Sequence, residues 1–423
     1  MTTPFDREQS RRNFLAFLAA SPFAAYGATD GFAQGADKIA EPRTKVADPL
    51  MWAPHDPSAL ITDPKQALNV FDFEPVMRKN VPPAHFGYMA SGVDDEATLR
   101  ANREGFQKFQ LRPRRLVDVS KVDMSTNILG VKYDSPIVLA PVGGQRSWHP
   151  DGELASGRGA KAGNHLQILS TMTSTSVEEV SAARERPIWM QLYATNKWEV
   201  AEAVVKRAEN AGCLAVAVTV DRNGGRNQET LLRMQKTDTR DCKQCHDRTN
   251  LTTSVRTRPM YSPLDMSGLT NTQSSNMTWE KLKRLRGTTK MKMVIKGILA
   301  HEDAKMAADL GYDAIIVSNH GARSEDSGRS TIDALPEIVA AVKGRMPVIV
   351  DSGFRRGSDI VKALCIGANA VCVGRPYIWG LGAFGQPGVE RALELLRIET
   401  RAMMQQVGAP TIKDLRPAMV RRA

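Results

Sequence analysis

Eight short apolar runs, separated by amphipathic segments, dominate the sequence from Pro136 onward. Most of the runs are followed by a stretch with helical spacing, such as Trp198–Ala211 or Ile332–Val342. Buried strands that alternate with helices are typical of a parallel sheet. Eight such units in about 250 residues predict an α/β fold of the (β/α)8 TIM-barrel type. The predicted strands are 136–141, 166–170, 187–193, 214–221, 291–297, 313–321, 346–353 and 368–375.

The length of the chain also allows other arrangements, since 423 residues are enough for two domains or for one barrel with extensions. A doubly wound dinucleotide-binding sheet would need a GxGxxG turn after its first strand. The segment PVGGQRSWHPDGE, residues 141–153, lacks that spacing. We therefore predict one barrel domain over 86–423, preceded by an N-terminal arm over 36–85. The part of the arm over 36–75 is rich in Pro and Asp without a sustained period, which indicates extended chain.

Composition and charge argue against two classes of protein. The formal net charge is +11, but Lys and Arg are spread along the chain and no nucleic-acid-binding module is present. No stretch offers about 18 uninterrupted apolar residues, so no transmembrane segment is predicted. The positive charge instead favours anionic substrates, cofactors or partner proteins.

The first 35 residues have the features of an export signal. The pair Arg11-Arg12 precedes Phe14-Leu15, an apolar stretch follows over Ala16–Ala28, and small residues lie before Ala36. This order is typical of a twin-arginine (Tat) signal. It predicts a signal over 1–35 and a periplasmic protein. The alternative is a disordered or amphipathic N-terminal helix with a chance Arg-Arg pair.

A long segment, residues 222–290, separates the fourth and fifth predicted strands. In a barrel such an insertion lies at the mouth of the active site and is usually functional. It contains Cys242-Lys243-Gln244-Cys245-His246, the CxxCH pattern of c-type haem attachment. In that interpretation Cys242 and Cys245 hold the haem covalently and His246 ligates its iron. A disulfide or a redox-active cysteine pair is the alternative.

Polar residues recur where the apolar runs stop. Because the carboxyl ends of barrel strands face the active site, these side chains form one constellation. It comprises Gln191, Tyr193, Thr219, Asp221, Lys296, Ser318, His320, Asp351, Arg355, Gly374 and Arg375.

Three motifs carry a family resemblance: SNHGAR (318–323), VDSGFRRGSDIVKAL (350–364) and IGANAVCVGRP (366–376). They resemble the FMN-dependent 2-hydroxy acid oxidases and dehydrogenases, and the resemblance extends from about Phe86 to Leu415. It implies FMN as cofactor and a small L-2-hydroxy acid as substrate. By analogy with the family it also implies a homo-oligomer, often a tetramer.

The proton chemistry of such a substrate agrees with the resemblance. A 2-hydroxy acid must lose a proton to a base, whether its Cα hydrogen leaves as a proton or as a hydride. His320 matches the family's base, and Asp221 matches the carboxylate that stabilises its protonated form. Tyr193 resembles the tyrosine near the substrate hydroxyl. Taken singly, each of the three residues has a structural alternative, as a strand end or a packing residue.

The substrate carboxylate requires a planar double donor, which arginine supplies. Arg323 matches one family arginine. The loop after the fourth strand is about two residues shorter than is usual in the family, and Arg226 is the best counterpart of the second. Tyr88, in GYMASG, resembles the tyrosine that hydrogen-bonds the carboxylate, although packing is its alternative role.

The remaining family positions imply an FMN site. Lys296 resembles the lysine that stabilises negative charge on the reduced flavin. Loops after the seventh and eighth barrel strands commonly bind phosphate. The predicted flavin contacts are Ala140, Pro141, Val142, Gly143, Ser170, Gln191, Thr219 and Ser318, and the predicted phosphate contacts are Asp351, Gly353, Arg355, Gly374 and Arg375.

Three positions depart from the family pattern. Val142 replaces a small hydroxylated residue, Gly143 stands where many oxidases have Ala, and Met172 replaces a bulky aromatic. Together with the predicted export, these changes favour a dehydrogenase that passes electrons to a cytochrome or quinone. The alternatives are an oxygen-using oxidase or monooxygenase, and a non-catalytic flavin electron carrier. The retention of His320 and Arg323 argues against the carrier.

Overall fold

The structure is a computed structural model that describes residues 60–222, 224–240, 255 and 258–423. The predicted export signal over 1–35 and the CxxCH motif of Cys242, Cys245 and His246 lie outside these residues. All eight apolar runs of the predicted barrel lie within them.

Eight parallel strands close into a barrel, so that each strand is paired with two neighbours. This arrangement confirms the predicted (β/α)8 fold, and every predicted apolar run overlaps one of its strands. Ser170 lies opposite Gln191 and Thr219 opposite Lys296 in the register of neighbouring strands. The strands are Ile137–Leu139, Leu166–Ser170, Trp189–Leu192, Ala215–Thr219, Lys292–Ile298, Ala314–Val317, Val348–Val350 and Ala370–Val373.

The strands alternate between an inner and an outer face, as the two-residue period of a strand requires. Ile168, Trp189 and Ala217 belong to one buried cluster inside the barrel. Their sequence neighbours, such as Leu169 and Met190, belong to the larger cluster that includes the helices. Toward the carboxyl end of the barrel the inner positions therefore become polar, with the side chains of Ser170, Gln191, Thr219, Lys296 and Asp351.

Two antiparallel strand pairs lie outside the barrel, and one of them covers its amino-terminal end. An antiparallel hairpin over Thr126–Ile128 and Val131–Tyr133 adds Ile128 and Tyr133 to the inner cluster. A second antiparallel pair joins Phe109–Leu111 to Val420–Arg422. The hairpin precedes the first barrel strand directly, so it covers the amino-terminal end and leaves the carboxyl end for the site.

Helices surround the barrel and extend its loops. The long C-terminal helix is interrupted at Phe384 and Gly385, which have non-helical backbone angles. The insertion over 222–290 contributes Glu229–Thr237 and Trp279–Arg286. The other helices are Phe73–Asn80, Pro83–Ala90, Ala97–Glu104, Gly152–Ala162, Val177–Arg184, Trp198–Asn210, His301–Asp309, Thr331–Val342, Gly357–Ile366 and Arg375–Val407. Within the described residues, no helix is both long and apolar enough to cross a membrane.

The prediction of an extended arm over 36–75 is wrong for its described part. Pro64–Gln66 and Val70–Asp72 are 3-10 helices, and an α-helix follows over Phe73–Asn80. The side chains of Asp63 and Asn69 accept hydrogen bonds that cap the two short turns. Each turn has three residues, which is too short to produce a helical period in the sequence. Side-chain caps and packing stabilise the turns instead, and the hydrophobic pattern of the sequence does not indicate either.

This N-terminal segment is part of the core. Phe71 is 2% exposed, and its ring centroid lies 6.1 Å from that of Trp379 on the C-terminal helix. Phe73 and Met77 are fully buried as well. The segment thus stabilises the barrel through apolar contacts rather than trailing along its surface.

We expect Phe71→Ala to lower the free energy of unfolding by about 3–5 kcal/mol, because it leaves a cavity against Trp379. Leu68→Ala, three residues away at a side chain that is 83% exposed, should change the free energy by less than about 0.5 kcal/mol. Urea denaturation followed by circular dichroism measures both. Equal effects of the two substitutions would show that the segment is not packed as described.

Candidate active site

A cavity of about 600 Å³ opens at the carboxyl ends of the barrel strands. Of the predicted site residues in the described chain, Asp221, Gln191, Thr219 and Ser318 do not line it but lie behind the wall. The predicted residues that line it are Tyr88, Ala140, Pro141, Val142, Gly143, Ser170, Tyr193, Arg226, Lys296, His320, Arg323, Asp351, Gly353, Arg355, Gly374 and Arg375.

A hydrogen-bonded row of side chains forms the polar layer inside the barrel. The hydroxyl of Ser170 donates to Gln191 Oε1 at 3.0 Å, and Gln191 Nε2 donates to Thr219 Oγ1 at 2.9 Å. All three residues are buried. Neighbouring strands fix the order of the row, so Gln191 lies one hydrogen bond and Thr219 two hydrogen bonds behind Ser170 at the cavity wall.

Lys296 is the cation of this layer. Its Nζ donates to Ser318 Oγ at 2.8 Å and lies 3.3 Å from Asp351 Oδ2. Burial lowers the pKa of Lys296, but the nearby charges of Asp351 and Asp221 outweigh burial and raise that pKa above its usual value. Lys296 is therefore a permanent cation at the cavity wall, as stabilisation of an anionic group requires.

His320 and Asp221 form a partly buried pair at the ends of the sixth and fourth strands. His320 Nδ1 lies 2.8 Å from Asp221 Oδ1, and His320 Nε2 lies 3.0 Å from the hydroxyl of Tyr193. Burial lowers the pKa of His320 to about 4, with Asp221 opposing the shift and Lys296 and Arg222 adding to it. The imidazole is neutral at pH 7, and the carboxylate assigns its proton to Nδ1. Nε2 is left as the basic atom on the cavity side.

The backbone around this pair is specialised. His320 has φ of 60° and Gly321 of 67°, in the left-handed region. Ser318 Oγ accepts from the His320 amide and Ser352 Oγ accepts from the Gly321 amide, at 3.0 and 2.9 Å. These two bonds hold a strained turn that directs the imidazole toward the cavity.

Gly297 is a positioning residue that the sequence interpretation missed. Its φ is +111°, and a Cβ there would lie 2.6 Å from Asp221 Cβ. Only glycine leaves room for the carboxylate to reach His320. The one sequence signal is a glycine directly after Lys296, inside an otherwise apolar run.

Tyr88 and Arg323 lie together on one wall of the cavity. The guanidinium of Arg323 is 4.3 Å from the ring centroid of Tyr88, and its Nη1 donates to the carbonyls of Tyr88 and Ser91. Its Nη2 is buried without a hydrogen-bond partner within the described chain. Arg226 Nη1 donates to the Arg323 carbonyl at 3.2 Å. The two arginines therefore stand side by side, with donors available for an anion.

Two more arginines, Arg222 and Arg258, line the same cavity and were not predicted as site residues. Arg222 directly follows Asp221 at a strand end, so the strand-end pattern that predicted Asp221 could also have predicted Arg222. Arg258 comes from the insertion, where no pattern indicates which side chain reaches the barrel.

Arg355, Gly353, Gly374 and Arg375 line the cavity as well. Arg355 Nε is buried without a hydrogen-bond partner within the described chain, and the loop at Gly353 has φ of +87°. Gly374 directly precedes the helix that begins at Arg375. Glycines beside two arginines and a helix N-terminus are typical of a phosphate site. Together with Lys296 and the polar layer, this donor set fits FMN.

Gly143 and Met172 are in close contact on the cavity wall. A Cβ on Gly143 would lie 2.8 Å from Met172 Cβ and 2.9 Å from the Met172 carbonyl oxygen. Val142 lines the cavity beside them. The departures at 143 and 172 are thus linked, because the backbone position of Met172 leaves no room for a methyl group.

Comparison with known proteins agrees with this site. The sequence model of the family described as FMN-dependent dehydrogenase matches residues 77–422. A peroxisomal (S)-2-hydroxyacid oxidase of Arabidopsis thaliana is 37% identical over 352 residues, which cover 83% of this chain and 95% of the relative. A 2-hydroxyacid oxidase of Dictyostelium discoideum is 39% identical over 361 residues, which cover 84% of this chain and 90% of the relative.

Solved structures give the same result. A mandelate oxidase variant with (S)-mandelic acid superposes with a TM-score of 0.74 at 34% identity, covering 84% of this chain and 98% of the other. A mutant of an active chimera of (S)-mandelate dehydrogenase gives 0.76 at 30% identity, covering 84% and 99%.

These relatives also correct one prediction. The relative from Arabidopsis thaliana and a second one from the same plant, 38% identical, are named as peroxisomal oxidases, so the prediction of a periplasmic protein is wrong. That prediction was based on the Arg11-Arg12 pair and the short apolar stretch after it. So few residues can match an export signal by chance. The family prediction, in contrast, is confirmed: the chain belongs to the FMN-dependent 2-hydroxy acid oxidases and dehydrogenases, oxidoreductases that act on a CH–OH group.

Proposed function

We propose that this enzyme oxidises an L-2-hydroxy acid to the 2-oxo acid and passes the two electrons to dioxygen, with hydrogen peroxide as second product. The observation that carries the proposal is His320, a neutral base held 2.8 Å from Asp221 at the wall of the cavity. When bound, FMN supplies the two-electron acceptor. All other steps belong to side chains of this chain.

The substrate carboxylate binds to Arg226 and Arg323. Arg323 offers an unpartnered buried Nη2, and the Tyr88 hydroxyl lies beside the same guanidinium. A carboxylate that bridges two guanidinium groups is fixed in orientation by paired hydrogen bonds. This contact directs the 2-hydroxy group toward His320 and Tyr193.

His320 then takes the proton that the substrate loses. Nε2 is the free basic atom, and the Tyr193 hydroxyl, 3.0 Å away, orients the substrate oxygen next to it. Protonation of Nε2 places a positive charge 2.8 Å from the Asp221 carboxylate, which stabilises it. Lys296, on the neighbouring wall, stabilises the negative charge that develops on the cofactor side.

The choice of dioxygen as acceptor is supported by the relatives, which are named as oxidases. A second candidate, transfer to a cytochrome, a quinone or a haem, is favoured by Gly143, which stands where many oxidases have Ala. The CxxCH motif of that alternative lies outside the described residues. We therefore give dioxygen priority.

Oxygen use is tested with the purified FMN enzyme and a panel of L-2-hydroxy acids. We expect oxygen uptake with one hydrogen peroxide formed per 2-oxo acid, measured with an oxygen electrode and a peroxidase assay. Rapid anaerobic bleaching of the flavin without recovery in air, but with recovery on addition of a quinone, would contradict the oxidase and favour the second candidate.

His320→Gln should retain FMN and lose flavin reduction by at least about 100-fold, because no other group supplies the base. His301→Gln, at a side chain that is 55% exposed, is the matched control and should behave like the unmodified enzyme. Anaerobic stopped-flow absorbance measures both. Unchanged reduction in His320→Gln would remove the proposed base.

The pH profile follows from two shifted groups. The active form of His320 is the neutral one, and because its pKa is lowered to about 4, kcat/KM should stay high down to about pH 4. Burial raises the pKa of Tyr88, but the nearby arginines outweigh it and lower that pKa to about 8. Above pH 8 the phenolate repels the substrate carboxylate, so kcat/KM falls.

Steady-state rates of the unmodified enzyme and of Tyr88→Phe from pH 4 to pH 10 test this profile. The alkaline decline should be lost in Tyr88→Phe, while the acid limb remains. An acid limb near pH 6.5, the usual value for histidine, would show that His320 is not held neutral by burial.

A further inference from the structure

The cavity carries far more positive than negative charge. Among the residues that line it in the described chain, Asp351 is the single carboxylate. The cationic side chains are Arg222, Arg226, Arg258, Lys296, Arg323, Arg355 and Arg375. An excess of this size in a buried site calls for anionic ligands, since unpaired buried charges are costly.

The ligands of the proposed function neutralise only part of this excess. Lys296 is already paired with Asp351 at 3.3 Å. Arg355 and Arg375 are assigned to the FMN phosphate, and Arg226 and Arg323 to the carboxylate next to the 2-hydroxy group. Two guanidinium groups, those of Arg222 and Arg258, remain without an anion.

Arg222 lies on the substrate side of the cavity. Its guanidinium carbon is 6.0 Å from the ring centroid of Tyr193, the residue that contacts His320. Its Nε is buried and has no hydrogen-bond partner within the described chain. Within the described chain no carboxylate lies within ion-pair distance of it, so its charge is available to a ligand.

Arg258 reaches the same cavity from the insertion. Its Nη1 lies 3.3 Å from the position that a Cβ on Gly144 would occupy, beside the loop that carries Val142 and Gly143. Its Nε is also buried without a hydrogen-bond partner within the described residues. Arg222 is the first residue of the insertion and Arg258 lies in its later part, and both leave donors unused at one cavity.

The charges of four arginines all act on one group, the hydroxyl of Tyr88. Burial raises the pKa of Tyr88, and the combined effect of Arg323, Arg226, Arg222 and Arg258 lowers it. The arginines also act on one another: burial, then Arg222 and Arg323, lower the pKa of Arg226 to about 10. A single monocarboxylate leaves this repulsion largely in place.

We propose that the preferred substrate is a 2-hydroxy acid with a second carboxylate on its side chain, which Arg222 and Arg258 bind. The proposal rests on the proposed function, because it assigns the 2-hydroxy carboxylate to Arg226 and Arg323. A second carboxylate satisfies the two unpartnered Nε donors or their neighbouring Nη groups. It also neutralises the charges that the first carboxylate does not reach.

The test compares substrates matched in length that differ only in the second carboxylate. L-Malate is paired with L-2-hydroxybutyrate, and L-2-hydroxyglutarate with L-2-hydroxyvalerate. We expect kcat/KM for the better dicarboxylate to exceed that of its partner by roughly 10- to 100-fold, as charged hydrogen bonds provide. Titration calorimetry of the FMN enzyme with 2-oxoglutarate and 2-oxovalerate measures the same preference without turnover.

Arg222→Gln and Arg258→Gln identify the residues responsible. Each should reduce the dicarboxylate-to-monocarboxylate ratio by roughly 10-fold or more. Arg233→Gln is the matched control, because Arg233 lies in the same insertion with a 74% exposed side chain paired to Glu229. It should leave the ratio unchanged. Correct folding of each variant is verified by its bound FMN absorbance.

The outcomes separate this inference from the proposed function. Turnover of 2-hydroxybutyrate or 2-hydroxyvalerate at least equal to that of the dicarboxylates, in an active enzyme, overturns the inference and leaves the oxidase. A ratio that survives both arginine substitutions also overturns it. Tight binding of 2-oxoglutarate without oxidation of any 2-hydroxy acid supports the second anion site and contradicts the proposed function.

Discussion

The partly buried hydrogen bond between His320 Nδ1 and Asp221 Oδ1, 2.8 Å long, is the contact on which the site depends. It fixes the tautomer of the imidazole and leaves Nε2 unprotonated on the cavity side, where it accepts from the Tyr193 hydroxyl. Burial alone would leave a neutral histidine that is a poor proton acceptor. The carboxylate provides the charge that stabilises the protonated form at the moment when the proton moves.

The barrel provides this contact at a cost in backbone strain. Asp221 and His320 follow two strands that are not neighbours, since the strand Lys292–Ile298 lies between them. Gly297 at φ of +111° opens the space for Asp221, and the left-handed turn at His320 and Gly321 brings the imidazole toward it. Burial and the positive charges of Lys296 and Arg222 lower the pKa of His320, and the Asp221 carboxylate opposes them. The arginines proposed to bind carboxylates line the same cavity, so the charge that would attract an anionic substrate also keeps His320 neutral.

Most of the architecture was predictable because strands and helices leave periodic patterns. The eight apolar runs located every barrel strand, polar residues at the strand ends located His320 and Lys296, and the family resemblance of the SNHGAR motif located Arg323. The short turns before Phe73 were missed, since caps at Asp63 and Asn69 leave no period. Arg258 was missed for a different reason: its place in the cavity depends on the path of a long insertion. Gly297 was missed for a similar reason. Its role depends on its close contact with Asp221, a residue distant in sequence, and no local pattern indicates that contact.

A neutron diffraction structure of the deuterated enzyme at pH 7 tests the central claim most directly, because it shows the hydrogen positions on His320. We predict deuterium on Nδ1, directed at Asp221, and none on Nε2, which accepts from the Tyr193 hydroxyl. Deuterium on both ring nitrogens would mean that His320 is already a cation at pH 7. It would then be unable to act as the base, and the proposed mechanism would be wrong.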